Sequence, residues 1–239
     1  VTLKNMLLVG LVVIALPATV LAAPQLYETG PAEDAAFMRF VAAVPGAVEV
    51  AAGRNARLSL DPQNASTSWQ PVRAKVALKA TLNYAGGKQD AEVTVQPSEF
   101  VTLAVVPDEK GGWQVGVGRE KPQDFSSHRV SLGLLNMAKG CTDATLKLAG
   151  KDVVIVNKAQ PAQVERRMIN PVSLGVDLFC NGQKAQDAVD LGNLRAGSRW
   201  TLLVVPEGKG WRLMPVFFWL TNSSSTRRPF NNCGRDSLK

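Results

Sequence analysis

One stretch occurs twice in the chain, and the duplication restricts the fold more than any other feature does. Thr102–Trp113 reads TLAVVPDEKGGW, and Thr201–Trp211 reads TLLVVPEGKGW with one residue fewer in the turn. Each copy is a Val/Leu run closed by Pro, an acidic residue, Lys and Gly, and resumed at a Trp. Apolar runs interrupted by a short Gly-containing turn read as the two strands of a β-hairpin. Pro107 and Pro206 fall where the first strand ends, a place that tolerates a residue with no N–H for the ladder. A lone hairpin is marginal in water and needs more sheet to pack against. Two copies therefore predict two β domains.

The rest of the chain repeats in the same order. Ala35 to Val44 is an apolar run in which Arg39 marks a strand with one wet face. Val48 and Val50, then Leu58 and Leu60, alternate with polar neighbours, the period of a half-buried strand. In the longest alternation Val76, Leu78, Ala80, Leu82 and Tyr84 share one face; Val172, Leu174, Val176, Leu178 and Cys180 reproduce it. Cys180 thus takes the inward place that Tyr84 holds in the first copy. Turns spaced every eight to twelve residues, roughly, between short strands are the pattern of a β-sandwich. The expected fold is all-β, two tandem β-sandwich domains joined by a short linker. Residues 23–120 form the first domain, 121–129 the linker with its polar KPQDFSSHR, and 130–220 the second. Residues 221–239 are nearly free of apolar side chains and read as a disordered polar tail.

The first 22 residues carry Lys4, an apolar core and small residues ending at Ala22, which reads as a secretory signal peptide. An uncleaved anchor is the alternative, though so short an apolar core is marginal for spanning. Export places the three cysteines in an oxidising compartment. Cys141–Cys180 is the candidate disulfide, with Cys180–Cys233 as the other pairing. Loss of Lys4 with the signal takes the formal charge from +7 to +6. A basic exported chain favours polyanions or anionic lipid over nucleic acid, although these cations are scattered as on any solvated surface.

Catalytic patterns are missing. The single histidine, His128, lies in the expected linker, and there is no G-x-S-x-G elbow, no paired-histidine spacing and no Cys-x-x-Cys. The chain is therefore expected not to be an enzyme and to need no cofactor. Trp113 and Trp211 follow the duplicated turns and read as packing residues of each sandwich. Trp69, beside a polar loop, is the candidate for contact with a carbohydrate, by stacking on a sugar ring.

The segment Leu26 to Val41, LYETGPAEDAAFMRFV, gives the block L-Y-x-T-G-P-x-x-D-x-x-F-x-R-F just after the signal. This block, with LAVVPDEKGGW and TLLVVPEGKGW, resembles AlgF, the periplasmic protein family of alginate O-acetylation. The resemblance covers the mature chain except its tail. It implies a periplasmic accessory protein without acetyltransferase residues of its own. Its implied partners are a membrane-bound O-acyltransferase and SGNH-type periplasmic acetyltransferases, which acetylate mannuronate residues of alginate.

Overall fold

A computed structural model describes residues 35–53, 56–121 and 124–218. The expected signal peptide at 1–22, the tail at 221–239 and Cys233 lie outside the described residues. The first half runs through β1 (Ala35–Ala42), β2 (Val48–Ala52), β3 (Ala56–Leu60), β4 (Gln70–Arg73), β5 (Ala77–Tyr84), β6 (Gly87–Thr94), β7 (Phe100–Pro107) and β8 (Trp113–Glu120). The second runs through β9 (Val130–Asn136), β10 (Ala144–Leu148), β11 (Val154–Ala159), β12 (Val164–Ile169) and β13 (Val172–Cys180). It continues through β14 (Gln183–Lys184), β15 (Val189–Leu194), β16 (Arg199–Glu207) and β17 (Gly210–Phe218). Among the described residues there is no helix, and the fold is all-β.

Each half is a pair of sheets. In the first, β4-β1-β7-β8 faces β3-β2-β5-β6; in the second, β12-β9-β16-β17 faces β11-β10-β13, with β14 and β15 both beside β13. The topologies coincide, down to the parallel pairs β1 with β7 and β9 with β16. The duplicated stretches are the hairpins β7–β8 and β16–β17, in which Pro107 pairs with Trp113 and Pro206 with Trp211. Each core fills from the alternating positions: Val48, Val50, Leu82 and Leu103 in one, Leu146, Val176, Leu178 and Leu202 in the other. Trp113 and Trp211 pack against these cores.

Two side chains depart from the alternation. Val76 and Val172, at equivalent places, are 43 % and 44 % exposed although the period points them inward. Val76 precedes β5, next to Lys75, whose φ of 62° turns the chain into the strand. Val172 is the first residue of β13. Both stand at the start of their alternation, ahead of the positions that reach the core.

A third apolar cluster joins the halves. Val41, Ala43, Ala104 and Val106 meet Leu135, Met137, Leu203, Val205 and Val216. By register, Val41 corresponds to Leu135 and Ala104 to Leu203. The same outer face of the same sheet is therefore buried in both halves. This explains why β9 and the apolar stretches of β7 and β16 are buried at every position: a strand covered on both faces reads as a continuous apolar run. β8 approaches closely enough that a Cβ on Gly118 would lie 2.6 Å from Leu135 Cδ2, and one on Gly116 2.9 Å from Met137 Sδ. The alternation Val115-Gly-Val117-Gly is the trace of that contact.

Candidate functional site

Arg39 corrects its sequence reading. It does not face water; it is 2 % exposed, on the face of β1 turned toward the second half. Its Nε donates to Thr102 Oγ1 at 3.0 Å and its guanidinium lies 4.4 Å from the centre of the Trp69 ring. Trp69 is half-buried and meets the Phe100 ring edge-on at 5.0 Å. One face of the tryptophan proposed for sugar contact thus carries an arginine.

The second half solves the same position differently. Register makes Gly133 the equivalent of Arg39, and Arg166 the equivalent of Trp69. The Arg166 guanidinium fills the space above Gly133, where an added Cβ would lie 2.8 Å from Cζ. Arg166 Nη2 donates to Thr201 Oγ1 at 3.2 Å, so each of the threonines that open the duplicated stretch accepts from an arginine. Arg166 also donates through Nη2 and Nε to Glu120 Oε2 at 2.7 and 3.0 Å, and through Nη1 to the Ser131 hydroxyl and the Trp200 carbonyl.

A third arginine completes the cluster. Arg199, 7 % exposed, donates from Nη1 to the Asp124 carbonyl at 2.8 Å, and Phe125 lies 4.8 Å from its guanidinium. Its Nη2 is buried and has no hydrogen-bond partner among the described residues. Burial pushes Arg39 and Arg199 down to about 10; the positive charge of Arg166 adds to this, and Glu120 opposes it. Chain between the halves is therefore anchored at Asp124 and Phe125. It is not a free joint at those residues.

The two halves close the same corner by different chemistry. Cys141, in the loop after β9, is joined to Cys180 at the end of β13, and both are buried. In the first half the Tyr84 hydroxyl, at the position equivalent to Cys180, donates to the Pro45 carbonyl in the corresponding loop. Asn136 secures the Cys141 loop: its Nδ2 donates to the Cys141 and Ala159 carbonyls, and its Oδ1 accepts from Ala138 N–H. Both cysteines serve structure.

The open surface of the first half carries a groove that sequence reading missed. Ser59, Glu49, Asn83 and Lys88 stand in one row across β3, β2, β5 and β6, with Arg57, Ala51, Thr81 and Asp90 in the next. Small Ala51, Ser59 and Thr81 leave a depression of about 550 Å³ between longer side chains, among them Arg57 and Lys88. The matching face of the second half is filled. Lys147 replaces Ala51 and lies 4.4 Å from the ring centre of Phe179, which replaces Asn83. Lys184 reaches Asp177 at 3.0 Å. The polar ends of alternating strands gave no signal for this groove, because its depth comes from pairing small residues across strands.

His128 is exposed, and its backbone N–H donates to Ser126 Oγ. Among the described residues no group of three or more His, Cys, Asp or Glu is placed to hold a metal ion.

No family model matches the chain, and no curated protein matches it. Among solved structures, the C-terminal domain of AlgF from P. aeruginosa is similar at 25 % identity and a TM-score of 0.33, over 38 % of this chain and 98 % of that one. A protein described as a cell adhesion protein from Bacteroides uniformis is similar at 10 % identity and a TM-score of 0.28, over 79 % of this chain and 100 % of its own. Another from Bacteroides fragilis gives 9 % identity and 0.24, over 79 % and 99 %.

Proposed function

We propose that the chain is a periplasmic, non-catalytic adaptor for O-acetylation of alginate, holding a membrane-bound O-acyltransferase and SGNH-type acetyltransferases in one assembly. The block Leu26 to Val41 with the two duplicated hairpins carries this reading. The fold is compatible with it: two sandwiches fixed against each other leave a sheet face of each half open to other molecules. Domains bound through a buried apolar face hold their partners at a set separation, which an adaptor needs. The test is mild purification of the tagged chain from the periplasm of a strain making acetylated alginate. Retention of an acetyltransferase is the expected result; a chain that retains none removes the adaptor.

A second reading is direct binding of the polyuronate, and the groove over β3, β2, β5 and β6 favours it. Arg57 and Lys88 at its walls suit carboxylates, and Asn83, Thr81 and Ser59 suit sugar hydroxyls. Titration with mannuronate oligomers is expected to show weak binding that falls as salt rises. Arg57→Ala together with Lys88→Ala should weaken it about tenfold, close to 1.4 kcal/mol. Binding indifferent to both substitutions, or relocated to Trp69→Ala, ends the groove's claim.

A further inference from the structure

We propose that the open edge of the second sandwich, between β11 and β12, is a docking groove for an extended acidic segment of a partner protein. This deepens the adaptor reading and rests on it for the partner's identity, but the groove is argued from its own chemistry. Two of the five exposed large apolar side chains among the described residues lie at this corner: Val153 at 53 % and Val154 at 38 %. Val153, Val154, Ile155 and Ile169 line a groove of about 270 Å³. Clustered exposed apolar side chains rimmed by polar groups mark surfaces that meet another molecule.

Two features define what fits. β11 is the edge strand of one sheet and β12 of the other, so both present backbone groups outward. An extended segment laid along the groove sets alternate side chains onto its floor, and its remaining side chains meet the groove's walls. The walls are cationic: Arg167 Nη1 donates to the Val154 and Ile155 carbonyls at 3.0 and 3.1 Å, and Arg129 Nη2 to the Met168 carbonyl at 3.0 Å. These bonds fix both guanidiniums at the groove, and no carboxylate lines it. A floor of valine and isoleucine between two arginines is complementary to a strand that alternates apolar and acidic residues.

The probe is the peptide acetyl-(Val-Asp)₃-Val-amide, titrated into the isotope-labelled full chain and followed by amide chemical shifts. Acetyl-(Val-Lys)₃-Val-amide and mannuronate oligomers are the comparison ligands. The acidic peptide is expected to shift amides at 153–155 and 167–170 and to bind about tenfold more tightly than the basic one. Val153→Asp, in the loop before β11, and Arg167→Gln should each weaken it by about tenfold with an unchanged melting temperature. Equal binding of both peptides, shifts elsewhere, or shifts at this corner only with mannuronate oligomers overturn the proposal. So does a concentration-dependent dimer that loses these exposed valines to a second copy. A chain that binds the acidic peptide here but retains no acetyltransferase supports the groove and removes the adaptor reading instead.

Discussion

Replacing Glu120 by Gln is expected to lower the unfolding free energy by about 3 kcal/mol, read as a fall in the urea midpoint with an unchanged slope. Glu120 and Arg166 have side chains only 11 % and 15 % exposed, and Arg39 and Arg199 carry further positive charge into the same space. Glu120 is the carboxylate that Arg166 grips at 2.7 Å. The amide keeps the size and removes the charge, which leaves a guanidinium buried without compensation. That is the costly way to break such a pair, because the desolvation of the remaining ion is not repaid. Arg166→Met in the Glu120→Gln background should cost less than the sum of the two single changes. A loss below about 1 kcal/mol would put this pair among ordinary surface ion pairs and contradict the geometry.

Removing the disulfide is expected to cost at least as much. Cys141→Ala with Cys180→Ala opens a loop whose ends are 39 residues apart. The chain-entropy account gives about 4 kcal/mol for a loop of that length, and a fall in melting temperature of about 8–16 °C for a chain of this size. Melting with and without reductant checks it: reductant should lower the native chain toward the double variant and leave the variant unmoved. A double variant that melts with the native chain would show that the corner is held by Asn136 and packing alone.

Much of each sandwich is written in the alternation. Leu78 to Tyr84 and Leu174 to Cys180 enter the cores as their period requires. The duplicated hairpins give the two-sandwich plan, and the inward parity of Cys180 points to a bridge where Tyr84 stands in the first half. What alternation cannot convey is which outer faces will be covered. Arg39 in an apolar run reads as a wet face, because periodicity distinguishes inside from outside only for a single layer. Here the outside of one sheet is the inside of the assembly. The fully apolar runs in β7, β9 and β16 were the available sign of it. In the sequence Trp69 stands out for its loop setting, and its neighbour in the fold, Arg39, lies thirty residues earlier across a strand pair that no local pattern links. Likewise the groove at Ala51 and Thr81 and the corner at Val153 arise from residues on different strands.

The face shared by the two halves has an implication of its own. Val41 opposite the partner sheet matches Leu135, and Ala104 matches Leu203, so each half offers its counterpart the same patch that it receives. Between separate subunits that is the rule of a two-fold homodimer. The chain is in effect such a dimer written on one polypeptide, with the 121–129 stretch as its tether. Tethering lets the copies diverge: one side could take Arg39 and Trp69 while the other took Gly133 and Arg166, a pairing that two identical subunits could not make. A polypeptide cut within the tether would supply two complementary pieces, each bearing the adhesive patch intended for the other.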